Sequence, residues 1–340
     1  MRQPISHWSA SLLRRDLRAR ATHLALTQNS LHDLSTGSDP AVIFGRDEQG
    51  RHGNFHPASY INICANPAWL LRLTKVHTAS RRSRARKDWQ WMELDSCNSS
   101  DALLMNIFCH PKVFDGHSLA SAVARLLNVD PVTEPRFGIN PSVPLNRVRK
   151  ARARRSTIVN RNSGTDSSVG SNLTDRTEID LQLGNLFLEA KLTESNFQTA
   201  KSGLIERYRD LETVFDITRL PRRILHTPAS HPPVEDYSQL EELTESLTAS
   251  PPTSKSKSRT VIDAYQLIRN VLAANAAEAS FCVLCDARRH DLIETWYSIL
   301  SAVHSPTFAT RLKLLTWQEL STALPKDLQQ FLDAKYGISS

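Results

Sequence analysis

The segment that most constrains the fold is TEIDLQLGNLFLEAKL, residues 177–192, in which two apolar–polar alternations flank a Gly-Asn pair. Alternation with a period of two predicts a half-buried strand, and Gly-Asn suits a two-residue hairpin loop. We therefore predict strands over residues 177–183 and 186–192. Their register follows by counting outward from Leu183 paired with Leu186.

This register puts four charged side chains on one face, with Asp180 opposite Glu189 and Glu178 opposite Lys191. The other face is apolar throughout, so a slip of one residue would bury the charges. Directly opposed carboxylates destabilise a strand pair unless they share a proton or a cation. A hard divalent ion such as Mg²⁺ takes carboxylate oxygens and keeps waters for a phosphate. The face is either such a metal site or an ordinary solvated strand face.

Hydrolysis of a phosphodiester bond needs neutralised charge, an activated water and a stabilised leaving oxygen. An ion between Asp180 and Glu189 would supply the first two. Lys191 would bind the phosphate or stabilise the attacking hydroxide. The pattern at this hairpin therefore indicates metal-dependent phosphodiester chemistry.

Asp180, followed across a hairpin by Glu189-Ala190-Lys191 and then by a predicted helix, resembles the PD-(D/E)XK nuclease superfamily. The wider similarity to bacterial restriction-endonuclease-like proteins of that superfamily covers roughly residues 95–338. It runs through the segments SSDALLMNIFCHP, DRTEIDLQLGNLFLEAKLTES, YQLIRN and FCVLCDARR. Ile179 stands where the motif has proline, a departure that such families tolerate.

The resemblance implies a restriction-endonuclease-like α/β fold, a mixed β-sheet flanked by α-helices. It also implies Mg²⁺-dependent cleavage of phosphodiester bonds, with Mn²⁺ as a substitute ion. Asp180 and Glu189 would be the metal ligands, joined by the carbonyl of Ala190, and Lys191 would position or activate the water. Glu178 would be an added ligand or the residue that orients Lys191.

Members of this superfamily often carry a Gln, Arg or Lys on a helix after the hairpin, reaching back to the site. We predict one helix that is capped by Ser195 and continues to about residue 211, and a second over residues 261–276. Substrate-binding candidates on these helices are Gln198, Lys201, Arg207, Gln266 and Arg269. Each is alternatively a solvated helix residue; the last two share a helical face and are favoured. For an acid from an earlier helix, the choice among Glu93, Asp95 and Asp101 stays open.

The strand–helix alternation after residue 177 indicates a layered α/β fold with a central mixed sheet. Residues 1–95 are predicted to be a basic N-terminal region of unassigned fold. Residues 96–340 are predicted to form the nuclease-like domain. Flexible insertions are expected at about 149–175 and 226–260, where polar residues, glycine and proline crowd the chain.

Further local signals fill in this domain. Ser99 or Ser100 can cap a helix through residues 102–108, and a capping box joins Thr316 to Glu319. Strands are predicted in SFCVLCDA and RLKLLTW, and a helix over DLIETWYSILSAV.

Charge is unevenly distributed along the chain. Residues 1–172 hold 24 Lys and Arg against 13 Asp and Glu, whereas residues 173–340 hold 18 against 22. This favours a basic surface for a polyanion beside functional carboxylates, or alternatively a disordered basic arm. The runs RRSRARK (81–87) and RKARARR (149–155) would suit DNA phosphates, but solvated segments are an equal interpretation.

Several classes of protein are disfavoured. Five irregularly spaced cysteines argue against a disulfide framework, and the two in SFCVLCDA would face opposite sides of a strand and not share a metal. No apolar run is long enough to span a membrane, and no phosphate loop or dinucleotide fingerprint suggests a nucleotide cofactor. We therefore expect a cytoplasmic protein with neither membrane nor nucleotide as partner.

The sequence thus predicts a Mg²⁺-dependent endonuclease that hydrolyses DNA phosphodiester bonds, of restriction or repair type. Two alternatives stay open. One is a non-catalytic nucleic-acid-binding or scaffold protein that keeps the nuclease fold, and the other is a nuclease acting on RNA. A homodimer is also left open.

Overall fold

The hairpin lies at the centre of a mixed sheet in the computed structural model of the protein. The structure describes residues 7–36, 38–75, 91–146, 174–227 and 257–339. Both basic runs and most of both predicted insertions lie outside the described residues.

The N-terminal part is mainly helical, and its charged residues reach the hairpin. Its elements are α1 (Ala10–Thr27), β1 (His32–Leu34), β2 (Val42–Phe44), α2 (Pro57–Ala65), α3 (Pro67–Leu70) and two 3₁₀ helices, Leu71–Thr74 and Glu93–Asp95. These are followed by α4 (Ser100–Phe108), α5 (Ser121–Leu127), β3 (Pro135–Ile139), β4 (Ser142–Pro144) and β5 (Thr174–Arg176).

The remaining elements alternate between strand and helix. The chain continues through β6 (Ile179–Leu183), β7 (Leu186–Ala190), β8 (Thr199–Lys201), α6 (Ser202–Ile205), α7 (Leu211–Val214), β9 (Arg222–Thr227) and β10 (Lys257–Asp263). It ends with α8 (Tyr265–Ala276), β11 (Ser280–Cys285), α9 (His290–Ser301), α10 (Pro306–Ala309), β12 (Leu312–Thr316), α11 (Trp317–Ser321) and α12 (Lys326–Tyr336). None of these described helices has the length and apolarity that a membrane crossing needs.

The central sheet has the order β12-β11-β7-β6-β3 in the described part of the chain. β3, β6 and β7 pair antiparallel, whereas β7, β11 and β12 pair parallel. Helices pack on both faces of this mixed sheet, which is compatible with a restriction-endonuclease-like fold. The predicted fold class is therefore confirmed.

The two faces of the sheet carry separate apolar cores. One core joins the sheet to α1, α4, α5, α11 and α12, and the other joins it to α8 and α9. Cys282 packs in the first and Cys285 in the second, as their spacing on one strand predicts. Leu13 and Leu17 of α1 belong to the first core, so the N-terminal helix packs with the sheet-covering helices.

The predicted hairpin register is confirmed. Leu183 pairs with Leu186, and Leu181 with Leu188. Gly184 has a φ of 55°, the positive value that a II′ hairpin turn needs at its first central position. The first strand begins later than predicted, at Ile179, and the second ends earlier than predicted, at Ala190.

The predictions for the other local elements were mostly right. Ser99 caps α4, and the Thr316–Glu319 capping box begins α11. The strands in SFCVLCDA and RLKLLTW are β11 and β12, and the helix over DLIETWYSILSAV is α9.

The predicted helix after Ser195 was wrong. The segment instead contains β8 and two short helices, because Ala200 pairs with Ile262 of β10 and Gln198 has a left-handed φ of 62°. Phe197 and Tyr208 are both buried in the second core, so their spacing in the sequence matches that of a helix although the segment is not one helix. Tertiary pairing overrides a local periodicity here.

The second predicted helix began too early. Residues 261–263 belong to β10, and Ala264, with a φ of 59°, separates that strand from α8. The helix therefore starts at Tyr265. Gln266 and Arg269 still lie on it, as predicted.

Candidate active site

The carboxylate end of the hairpin brings Asp180, Glu189 and Lys191 together. The amide of Ala190 donates to Oδ2 of Asp180 at 2.8 Å, and Nζ of Lys191 donates to Oε1 of Glu189. Glu189 is fully buried, whereas Asp180 keeps partial exposure. The three predicted residues therefore form one charged group, with Asp180 on its open side.

Two amides of α8 hold the buried carboxylate of Glu189. Nε2 of Gln266 donates to Oε1 at 2.6 Å, and Nδ2 of Asn270 donates to Oε2 at 2.8 Å. Thr177 in turn donates to Oδ1 of Asn270 at 2.6 Å and fixes that amide. Gln266 was predicted from the sequence, but Asn270 and Thr177 were missed. The signal for Asn270 was its position four residues after Gln266, on the same helical face.

The backbone of Lys191 is held on both sides. Its amide donates to the carbonyl of Leu284 at 2.8 Å, and Nε1 of Trp317 donates to its carbonyl at 3.0 Å. These bonds aim the side chain at Glu189. Burial opposes the charged ammonium, but the carboxylates of Glu189 and nearby acids more than compensate and raise the pKa of Lys191. The lysine is therefore a cation in this site.

Asp180 carries the least favourable charge of the group. Burial, and then the negative charges of Glu189 and Asp101, raise the pKa of Asp180 well above its usual range. Burial is also the main cause that raises the pKa of Glu189. Carboxylates forced together in this way bind either protons or a cation more strongly than isolated ones. The donor set therefore fits a divalent ion.

Asp101 on α4 is the acid that the sequence did not distinguish. Its charge acts on both Asp180 and Glu189, and its own side chain is nearly buried. The neighbouring Ser100 donates to Oε1 of Glu194 at 2.8 Å and ties the start of α4 to the chain after the hairpin. Of the three acids considered, Asp101 is the one whose charge acts on both Asp180 and Glu189. Glu93 pairs with Lys75, its Oε1 lying 3.4 Å from Nζ.

Glu178 pairs with cations of the N-terminal region and not with Lys191. Its Oε1 lies 3.1 Å from Nη1 of Arg72 and 3.0 Å from Nζ of Lys75. These cations were not candidates in the sequence, because they lie more than 100 positions before Glu178. Lys191 is oriented by Glu189 instead.

Within the described residues, no hydrogen bond or ion pair joins the remaining substrate candidates to this group. Gln198 and Arg207 are exposed, and Lys201 lies at the exposed end of β8. Arg269 stacks over the ring of Tyr265 at 5.1 Å. Among the predicted Gln, Arg and Lys side chains that the structure describes, Gln266 alone contacts the acid–lysine group.

A second group of ligand-type side chains consists of His56, His110 and Asp327. Nδ1 of His56 accepts the amide of Ala58, and Nδ1 of His110 accepts that of Lys112, both at 3.2 Å. A neutral imidazole whose Nδ1 accepts carries its proton on Nε2. The two Nε2 atoms therefore present protons and not lone pairs, which disfavours metal binding by this group.

Asp180→Asn is expected to stabilise the metal-free protein by up to about 1 kcal/mol at neutral pH, because the amide is neutral in both the folded and the unfolded chain and still accepts from Ala190. Since the folded carboxyl has the higher pKa, it binds a proton that the unfolded chain has lost. Its stabilising contribution therefore disappears as pH rises through the raised pKa. Thermal unfolding in EDTA should show a gap between variant and wild type that widens with pH. A gap that is constant with pH would contradict this assignment.

Comparison with known families gives a match over most of the chain. A family model described as Restriction Endonuclease associating with ARP matches residues 31–337. The match contains the hairpin, α4, α8 and the cations that pair with Glu178. No curated protein and no solved structure matches the chain.

Proposed function

The chain belongs to the family of restriction endonucleases associating with ARP, and from this premise we propose that it is a Mg²⁺-dependent endonuclease that hydrolyses DNA phosphodiester bonds. The observation that carries the proposal is the group formed by Asp180, Glu189 and Lys191 at one end of the hairpin. Two crowded carboxylates beside a held ammonium match the needs of phosphodiester hydrolysis.

Asp180 and Glu189 are the side chains that would hold Mg²⁺, or Mn²⁺ in its place, together with the carbonyl of Ala190. In the described residues, Asp180 accepts one hydrogen bond, at Oδ2, which leaves Oδ1 open to a ligand. Oε2 of Glu189 accepts from Asn270 alone among the described residues and keeps a second lone pair. When bound, the ion supplies positive charge and lowers the pKa of a bound water.

The protein's own residues supply orientation and charge. Lys191 is held against Glu189, from where its ammonium can position a water or a phosphate oxygen. Gln266 and Asn270 keep the Glu189 carboxylate in one rotamer. Asp101 adds negative charge, which strengthens the attraction for a cation. The same charge disfavours the ionised form of Asp180 when no cation is bound.

Two further proposals concern partners. The description of the family names an association with ARP, and we extend that association to this chain as a proposal. DNA is the proposed substrate because the family is one of restriction endonucleases. A non-catalytic nucleic-acid-binding protein and an RNA nuclease are the outcomes against which the proposal is tested.

Purified full-length protein is expected to nick supercoiled plasmid with Mg²⁺ or Mn²⁺ and to leave it intact with EDTA. Asp180→Asn should abolish nicking because it removes an anionic ligand. Glu212→Gln, which changes an exposed carboxylate on α7, should nick like wild type. Plasmid, single-stranded DNA and RNA are incubated in parallel and resolved on gels.

Three results would change the assignment. Cleavage of RNA alone would make the protein a ribonuclease. DNA binding without cleavage under every metal would make it a binding protein. Cleavage that survives Asp180→Asn would place the chemistry elsewhere.

A further inference from the structure

Two cations of the N-terminal region converge on a single oxygen of Glu178. Nη1 and Nη2 of Arg72 lie 3.1 and 3.2 Å from Oε1, and Nζ of Lys75 lies 3.0 Å from the same atom. Three charged donors therefore meet at one anionic oxygen. Charge-assisted donors from an arginine fork and a lysine are the usual means of binding a phosphate.

Both cations also pair with Asp101, and Lys75 pairs in addition with Glu93, whose Oε1 lies 3.4 Å from Nζ. Oδ2 of this residue lies 2.8 Å from Nη2 of Arg72 and 2.7 Å from Nζ of Lys75, and its side chain is 7% exposed. The Glu178 side chain is 38% exposed, and in the described residues only its Oε1 is engaged. The buried acid therefore fixes the cations, whereas the exposed acid in front of them can swing away.

The backbone of β3 makes room for the arginine. Gly138 has a φ of 62°, and a Cβ at this position would lie 1.9 Å from Nη1 of Arg72. Any side chain here would displace the guanidinium. The position of Arg72 is therefore specified by the edge of the central sheet as well as by its ion pairs.

We propose that Arg72 and Lys75 form a phosphate-binding subsite next to the catalytic carboxylates, and that Glu178 occupies it until a phosphate of the nucleic-acid backbone takes its place. The proposal rests on the proposed function. Glu178 precedes Asp180 by two residues, at most about 7 Å along an extended chain, so this phosphate would neighbour the one being cleaved.

Exchange of one anion for another has a clear physical advantage. Arg72 and Lys75 stay paired before and after binding, so neither cation is left bare in a partly buried position. The carboxylate of Glu178 regains water as it moves outward. In this role Glu178 competes with the substrate, and the N-terminal region becomes part of the binding machinery.

Binding of a fluorescently labelled DNA duplex tests this subsite. All variants are made in an Asp180→Asn background with Mg²⁺, so that the DNA stays intact, and anisotropy is measured across a salt series. Lys75→Gln and Arg72→Gln are each expected to weaken binding about 5- to 10-fold and to reduce the salt slope by about one. Glu178→Gln is expected to tighten binding about 3- to 10-fold, because it weakens the competing anion.

Arg51→Gln is the matched control, since Arg51 belongs to the same region but pairs with Asp47 at 2.7 Å and is 65% exposed. Its affinity should stay within about twofold of the background. If Arg72→Gln does not fold, Arg72→Lys keeps the charge while losing the fork and should still weaken binding. The proposal is overturned if Glu178→Gln binds no more tightly or if Lys75→Gln binds normally.

The nuclease activity and the phosphate subsite can be refuted separately. Wild-type cleavage together with unchanged binding by Lys75→Gln and Glu178→Gln would refute the subsite and keep the nuclease. Absence of cleavage, together with the expected opposite effects on binding, would refute the nuclease and support the subsite.

Discussion

Glu189→Gln is expected to lower the rate of DNA cleavage by at least about 10³-fold at saturating Mg²⁺. The substitution keeps the shape of the side chain but removes an anionic ligand of the proposed metal. It also replaces one acceptor oxygen by an amide that faces the donors of Lys191, Gln266 or Asn270. Single-turnover cleavage of a labelled plasmid measures the effect.

The control for this experiment is Glu212→Gln, the same chemical change on an exposed helix. It should cleave within about twofold of wild type, since surface substitutions away from such features have small effects. Isothermal titration with Mn²⁺ gives a second readout, in which Glu189→Gln should lose affinity. Cleavage by Glu189→Gln within about tenfold of wild type would remove this residue from the metal site.

Lys191→Met is expected to destabilise the protein by about 3–5 kcal/mol at neutral pH. Methionine is close to lysine in shape but carries no charge, so the fully buried carboxylate of Glu189 loses its cation. The two amides from α8 remain, but neutral donors do not compensate a buried charge. Urea unfolding of the metal-free protein at constant pH measures the loss.

The double variant Glu189→Gln/Lys191→Met separates charge from packing. Removal of both charges should recover most of the stability, because neutral groups of the same shape often replace a buried ion pair at little cost. Lys326→Met, at an exposed position on α12, should change stability by less than about 0.5 kcal/mol. Strictly additive losses in the double variant would show that the pair is not coupled.

In this site, the charges that are proposed to bind a metal also destabilise the metal-free fold. Asp180 is tolerated as an anion only at a cost, because burial and the charges of Glu189 and Asp101 raise its pKa. A divalent cation or a proton removes that cost. The crowded carboxylates that are proposed to bind a metal are therefore a weak point of the metal-free fold.

Much of the site followed from local sequence. Pairing of Leu183 with Leu186 depends on a two-residue turn and on strict alternation, which act within a few residues. That register alone placed Asp180 opposite Glu189. The cap of α4 and the capping box of α11 are equally local.

The helical periodicity of apolar residues after Ser195 gave a wrong prediction, because the chain buries those residues without forming one helix. Phe197 and Tyr208 are buried at helical spacing, but the pairing of Ala200 with Ile262 holds the segment as a strand. An apolar pattern indicates which side chains are buried, but it does not indicate which backbone conformation buries them. That conformation is determined by pairing between strands that are distant in sequence.

The sequence by itself therefore determined the hairpin, its opposed carboxylates and the α/β class, because turn geometry and alternation are short-range. Only the tertiary structure selected Asp101 among the available acids, aimed Asn270 at Glu189 and brought Arg72 to Glu178. These contacts join residues 81 to 106 positions apart in the last two cases. No period in the sequence encodes such contacts, since they arise when helices pack their buried faces onto a common sheet.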